Sequence, residues 1–208
     1  METKDPHVVL NGLGMNLKTA LLAPLSEYSG LGILESDSFV IKKLEDTISD
    51  PKIRTYLNRA ILRYGEIQML GRATIIDRSL IDQMIIAKFL DEGLIDPFPG
   101  YDPSSILEYW DDYLKLELEL NCNRVVFSNY DTKMIEELIS DPEFSKSKRK
   151  KMYKSVDDYF RLQEYYLDIY KKNISECIEI SLPEKFTTYG GRIEYLKLRT
   201  IYEIFEKK

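Results

Sequence analysis

The most informative segment of the chain reads VVLNGLGMNLKT, from Val8 to Thr19. Its three apolar residues predict a short buried strand, and the residues after them approach the pattern G-x-x-x-x-G-K-[ST] of a phosphate-binding loop. Gly12, Lys18 and Thr19 satisfy that pattern, whereas Leu17 stands where the second glycine belongs. The backbone N–H groups of such a loop and the N-terminus of the next helix bind phosphates. The segment therefore predicts a nucleotide site in which Leu17 either blocks close backbone approach or forces an unfavourable φ.

Each residue of this loop has an expected role. The residues expected to contact ATP are Gly12, Gly14, Met15, Asn16, Leu17, Lys18 and Thr19. Lys18 is expected to bridge the terminal phosphates, and the Thr19 hydroxyl is expected to hold Mg²⁺. The alternative is a tight strand-to-helix turn that needs only Gly12 and Gly14.

Composition limits the remaining functions. The chain has 208 residues, which suits a single α/β domain over residues 1–208. Its net charge of −6 provides no basic field, so a duplex nucleic-acid partner is not expected. The one histidine, His7, excludes a histidine-based triad or metal cluster. Neither a membrane-spanning stretch nor a signal-peptide core is apparent, and Cys122 and Cys177 suit a reducing interior, so we expect a cytoplasmic protein.

Short apolar runs alternate with helical patterns along the chain, which predicts an α/β fold with a three-layer, doubly wound, five-stranded parallel sheet. The predicted strands are Val8–Asn11, Ile33–Glu35, Arg72–Asp77, Arg124–Ser128 and Cys177–Ser181. The predicted helices are Lys18–Ser29, Asp50–Leu70, Ser79–Glu92, Ser104–Leu120, Thr132–Ile139, Ser155–Lys172 and Arg192–Phe205. In such sheets ligands bind at the carboxyl ends of the strands.

Charged residues follow two of these strands. Asp77 and Arg78 come directly after the apolar residues of a strand. A charge buried at the end of such a strand is costly unless it is paired, so these residues are expected to have a function. Asp77 is expected to hold the metal, and Arg78 to stabilise charge on a transferring phosphoryl group. The alternative is an ion pair next to a helix N-cap at Ser79.

Glu35 and Asp37 follow the second strand. Asp37 is our candidate for the base that takes a proton from an attacking hydroxyl, with Glu35 as a second candidate or a substrate ligand. Alternatively, Asp37 caps the next helix.

A basic run, Lys146–Lys151, and several aromatic residues complete the candidate features. The run is either solvated surface or part of a helical lid at about 141–154, whose Lys148 and Arg149 close over the phosphates. Tyr64 and Trp110 are candidates for stacking on a base, with core packing as the alternative. The tyrosines from Tyr153 to Tyr170 are expected to serve packing or a subunit contact.

Together these motifs resemble the deoxynucleoside kinase family, within the wider group of phosphate-loop nucleoside and nucleotide kinases. The resemblance rests on the loop and on the triplet Asp77-Arg78-Ser79, which continues into a helix like the family's at Leu80–Phe89. It implies transfer of the γ-phosphoryl group of ATP, with Mg²⁺, to the hydroxyl of a deoxynucleoside or to a nucleoside monophosphate.

The resemblance also implies roles for individual residues. Lys18 and Thr19 would serve ATP and the metal, Asp77 would lie near the metal, and Arg78 near the phosphates. Asp37 would act as the base and Asp82 would help to hold the substrate. Two alternatives remain open: a kinase acting on a hydroxyl within a nucleic acid, and a catalytically impaired nucleotide-binding protein. A homodimer is also left open.

Overall fold

The computed structural model describes residues 5–35, 64–97, 103–141, 153–186 and 188–207. Its five strands are β1 (His7–Asn11), β2 (Gly32–Leu34), β3 (Thr74–Asp77), β4 (Cys122–Asn129) and β5 (Ile178–Leu182). All of their pairings are parallel, and the strand order is β2-β3-β1-β4-β5. The predicted five-stranded parallel sheet is confirmed.

Helices connect the strands. They are α1 (Lys18–Ser29), α2 (Leu80–Asp91), α3 (Ser104–Glu108), α4 (Trp110–Glu119), α5 (Thr132–Ser140), α6 (Val156–Asn173) and α7 (Tyr189–Ile201), and a π-helical turn (Tyr202–Glu206) follows α7. Residues 64–69 are also helical, whereas the rest of the predicted helix Asp50–Leu70 lies outside the described residues. So does most of the predicted lid at 141–154. Among the described residues, no helix combines the length and apolarity that a bilayer crossing requires.

The predicted single helix Ser104–Leu120 is wrong. The backbone leaves the helical region at Tyr109, where φ is −108° and ψ is 25°, and this residue separates α3 from α4. Helix α4 then begins anew with Asp111 and Asp112 in its first turn. Carboxylates at that position interact favourably with the positive end of the helix dipole.

Both faces of the sheet are covered, which accounts for the continuous apolar runs of its strands. Residues of β1 alternate between the two sides: Val9 packs in a cluster with α2 and α6, while Val8 and Leu10 pack in a second cluster with α1 and α7. Helices therefore form a layer on each side of the sheet, as the doubly wound architecture requires.

The central position of β1 determines where the polar residues meet. Leu10 pairs with Asp77 of β3, and Asn11 pairs with Val126 of β4. The Arg78 N–H donates to the Leu10 carbonyl at 3.0 Å, which continues the pairing past the end of β3. The loop after β1 and the triplet after β3 consequently lie side by side.

A buried carboxylate fixes the start of α2. Ser79 is the N-cap residue, but its hydroxyl donates to Asn11 Oδ1 and caps nothing. Instead, Glu117 Oε2 accepts the N–H of Leu80 at 2.9 Å, while its Oε1 accepts from Arg124 Nε at 3.1 Å. Burial raises the pKa of Glu117, and the attraction of Arg124 opposes that rise. Glu117 therefore links α4, α2 and β4.

The substitution Glu117→Gln is expected to destabilise the protein by about 3 kcal/mol or more, because it leaves the buried Arg124 guanidinium without a counter-charge. Urea unfolding measures this loss. The matched control is Glu108→Gln at the exposed end of α3, which is expected to change the free energy of unfolding by less than about 0.5 kcal/mol. Equal stability of the two variants would contradict the structural role of Glu117.

Candidate phosphate-binding site

The loop between β1 and α1 passes so close to β4 that only glycine fits at position 12. Gly12 has φ 129°, and a Cβ atom there would lie 2.6 Å from the Phe127 carbonyl oxygen. The Asn16 side chain fills the remaining space, and its Nδ2 donates to that same carbonyl at 3.0 Å. Asn129 at the end of β4 also donates from Nδ2 to the Met15 carbonyl at 2.8 Å. Side-chain amides thus hold the loop against β4.

Leu17 adopts a left-handed backbone conformation, which glycine takes up without strain. Its φ is 62° and its ψ is 9°, in the left-handed region, and it is the N-cap residue of α1. This conformation costs a non-glycine residue about 1–2 kcal/mol. The half-buried Leu17 side chain packs against the cluster between the sheet and helices α1 and α7. The loop therefore keeps its turn, and the contact offsets part of the strain.

The curved loop leaves several backbone donors at the start of α1. The N–H of Gly12 donates to Asp82, and that of Gly14 donates to the Tyr153 hydroxyl. In the described part of the chain, no hydrogen bond is donated by the backbone N–H of four residues, namely Met15, Asn16, Leu17 and Thr19. Such a run of donors at a helix N-terminus can bind an anion.

Lys18 and Thr19 complete the loop pattern and are the first two residues of α1. Lys18 is 3% exposed, and its Nζ donates to the Leu13 carbonyl at 2.9 Å and to Asn16 Oδ1 at 3.3 Å. Its ammonium group is therefore held within the loop. Thr19 Oγ1 donates to Asp77 Oδ2 at 3.1 Å. The structure thus brings together the two residues that the sequence predicted as metal ligands.

These two oxygens suit a hard cation. Mg²⁺ prefers oxygen ligands and is usually bound by one or two protein groups together with phosphate oxygens and water. Among the described residues, no group of three or more His, Cys, Asp or Glu side chains could hold a metal ion. Thr19 and Asp77 therefore fit Mg²⁺ only as part of a shared site with phosphate oxygens.

Arg78 and Asp82 follow β3, and Asp82 contacts the loop by accepting the Gly12 N–H. Arg78 has φ 71°, a further left-handed residue, in the turn between β3 and α2. Burial lowers its pKa, but the carboxylates of Asp82 and Asp77 raise it, and the net shift is upward. Asp82 is 4% exposed and accepts a hydrogen bond from the Tyr166 hydroxyl at 2.7 Å.

The remaining predicted site residues lie elsewhere or outside the described part of the chain. Glu35 is exposed just after β2, the Tyr64 hydroxyl donates to Glu119 Oε2 at 3.0 Å, and Trp110 packs partly buried against the core cluster at the start of α4. The Tyr64 hydroxyl is thus bonded to α4 and not to a loop residue. Asp37, Lys148 and Arg149 lie outside the described residues.

Sequence reasoning missed the hydroxyl groups of the tyrosine-rich helix. Tyr159, Tyr166 and Tyr170 are buried, as the packing interpretation predicted. Their hydroxyls also bind polar partners: Tyr166 donates to Asp82, and Tyr170 accepts from Asn11 Nδ2 at 2.7 Å. The sequence did carry a signal for them. Tyr159 and Tyr166 are seven residues apart and Tyr166 and Tyr170 are four apart, and these spacings place the three side chains on one face of α6.

Comparison with known proteins defines the class of fold. No family model matches the chain, and no curated protein matches its sequence. Solved structures do match: deoxyadenosine kinase from M. mycoides with dCMP and dCDP has a TM-score of 0.56 and 16% identity, over 94% of this chain and 99% of that one. The same kinase with bound dATP has a TM-score of 0.55 and 17% identity, with coverages of 94% and 98%. The fold is that of the phosphate-loop nucleoside kinases.

A second protein supports this fold. The NadR protein in complex with NR matches with a TM-score of 0.57 and 12% identity, over 96% of this chain and 51% of that chain. Both of these proteins match with TM-scores above 0.5 although their sequence identities to this chain are at most 17%. The likeness therefore concerns the arrangement of the backbone.

The strain at Leu17 can be tested by comparing two truncations. Both Leu17→Gly and Leu17→Ala remove the side-chain packing, but only glycine adopts φ 62° without strain. We expect the glycine variant to be more stable than the alanine variant by about 1 kcal/mol in urea unfolding. Within a helix the order is the reverse, with alanine favoured by about 1 kcal/mol. Greater stability of the alanine variant would contradict the left-handed loop.

Proposed function

We propose that the protein is an ATP-dependent phosphotransferase that acts on the hydroxyl of a deoxynucleoside or on a nucleoside monophosphate. One observation carries this proposal: the open backbone donors of the loop adjoin both the Lys18 ammonium and the contact between Thr19 and Asp77. Triphosphate recognition needs this combination of donors, a cation and oxygen ligands for a metal. The fold of the phosphate-loop nucleoside kinases agrees with the proposal.

The charged residues have distinct roles in this proposal. Lys18 and Arg78 stabilise the negative charge of the phosphoryl group as it moves, because cations in a low-dielectric site act strongly. Thr19 and Asp77 hold Mg²⁺, which when bound neutralises charge on the phosphate oxygens. Asp37 accepts the proton of the attacking hydroxyl.

Further residues of this proposal concern the lid and the acceptor. Lys148 and Arg149 close over the phosphates of ATP. Glu35, Asp82, Tyr64 and Trp110 hold the acceptor, for which a nucleoside or nucleotide is proposed because the matching structures contain dCMP, dATP and NR. A homodimer, as the resemblance allows, belongs to the same proposal.

The reaction can be tested with γ-labelled ATP, Mg²⁺ and a panel of nucleosides and nucleoside monophosphates. We expect label to reach at least one acceptor, and we expect Lys18→Ala and Asp37→Asn to lower the rate about 100-fold or more. The control is Lys115→Ala, which removes an exposed lysine of α4 and is expected to leave the rate unchanged.

Three outcomes contradict this assignment. Label on the end of an oligonucleotide, with none on free acceptors, indicates a nucleic-acid kinase. Binding of ATP without transfer indicates an impaired nucleotide-binding protein, and restored transfer in Leu17→Gly would place the defect at the loop. No binding and no transfer would exclude the nucleotide site.

The metal role of Thr19 predicts a difference between two substitutions. Thr19→Ser keeps the hydroxyl next to Asp77 and is expected to retain most of the activity. Thr19→Val keeps the shape but removes the oxygen, so we expect a loss of about 100-fold and a higher Mg²⁺ concentration at half-maximal rate. Titration of the reaction with Mg²⁺ measures both effects. Equal activity of the two variants would exclude Thr19 as a ligand.

A further inference from the structure

Asp82 lies beneath the phosphate-binding loop, in the first turn of α2. Its Oδ1 accepts the Gly12 N–H at 3.1 Å and the Tyr166 hydroxyl at 2.7 Å. Its Oδ2 is buried, and among the described residues it has no hydrogen-bond donor. The Asp82 carboxylate therefore accepts the first backbone donor of the loop, while the N–H groups of Met15, Asn16, Leu17 and Thr19 donate no hydrogen bond within the described part of the chain.

Two cations act on this carboxylate. Burial raises the pKa of Asp82, and the attraction of Lys18 in the loop and of Arg78 in the turn before α2 opposes that rise. The groups that face Asp82 from α6 are the hydroxyls of Tyr166 and Tyr170, which stay neutral because burial raises both pKa values well above the usual range. A buried cation is costly unless an opposite charge compensates it. Asp82 supplies that charge to Lys18, and Asp82 and Asp77 supply it to Arg78.

We propose that Asp82 takes the electrostatic place of a phosphate group in the ligand-free protein, and that it thereby sets the affinity of the loop for nucleotide phosphates. This inference rests on the proposed function, because it assumes that phosphates bind in this loop. An incoming diphosphate or triphosphate must share Lys18 and Arg78 with a carboxylate that is already in place. Its binding is therefore weaker than the two cations alone would allow.

The inference predicts opposite changes in stability and affinity. Removal of the Asp82 charge takes away one of the carboxylates that compensate Lys18 and Arg78, so the ligand-free protein becomes less stable. The same removal ends the competition of Asp82 with phosphates for the two cations, so polyphosphate binding becomes tighter. A residue with a merely structural role would weaken both properties when it is replaced, because a disordered loop binds less well.

The test compares Asp82→Asn with Asp91→Asn, which removes an exposed carboxylate from the far end of the same helix. Calorimetric titration with inorganic pyrophosphate and with ADP, both in EDTA, measures affinity without a metal. We expect Asp82→Asn to bind both ligands about tenfold more tightly, which corresponds to about 1.4 kcal/mol. We also expect its thermal midpoint without ligand to fall by about 2–4 °C. Asp91→Asn should change neither quantity.

The outcomes separate this inference from the proposed function. If the unaltered protein binds neither pyrophosphate nor ADP in EDTA, the inference is overturned, and the proposed function is overturned with it only if label transfer from ATP with Mg²⁺ is also absent. If it binds them and Asp82→Asn binds equally or less tightly, only the role of Asp82 is overturned. If Asp82→Asn is unfolded without ligand, pyrophosphate is added at rising concentration, and the thermal midpoint is measured for the protein that folds in its presence. Recovery to the midpoint of the unaltered protein at saturation supports the inference, and absence of recovery overturns it.

Discussion

The close approach of Gly12 to the carbonyl of Phe127 is the contact on which the site depends. With no room for a side chain at position 12, the loop can turn tightly against β4, and Asn16 then reaches the same carbonyl. The turn places Met15 and Leu17 in left-handed conformations and ends at the first residue of α1. In this turn the N–H groups of Met15, Asn16, Leu17 and Thr19 donate no hydrogen bond among the described residues.

The charges at the carboxyl ends of β1 and β3 form one interdependent group. Lys18 and Arg78 are the cations, and Asp77 and Asp82 are the carboxylates that act on Arg78. Each is costly to bury alone, and together they are close to neutral. The group depends on the parallel pairing of Leu10 with Asp77, which brings the two strand ends to the same level. The strand pairing and the mutual attraction of these charges therefore both place the four side chains at the carboxyl ends of β1 and β3.

The sequence predicted those features that are determined by residues close together in the chain, such as the start and the end of a helix. Helix α1 was predicted at its observed bounds, because the loop pattern marks its start and Gly30 marks its end. The break at Tyr109 was missed, since neither glycine nor proline signals it. Partners distant in sequence were also missed: the contact between Gly14 and Tyr153 spans 139 residues, and no periodicity encodes which hydroxyl meets which amide. The direction of the Leu17 side chain likewise depends on tertiary packing.

The buried tyrosines of α6 have a consequence in alkaline solution. Burial raises the pKa values of Tyr159, Tyr166 and Tyr170 well above the usual range. These phenols stay protonated in the folded chain, whereas in the unfolded chain they lose protons near pH 10. Their contribution to stability is therefore complete below about pH 10 and declines as the solution becomes more basic. Strong base should release phenolate absorbance from these side chains only as the helix separates from the sheet.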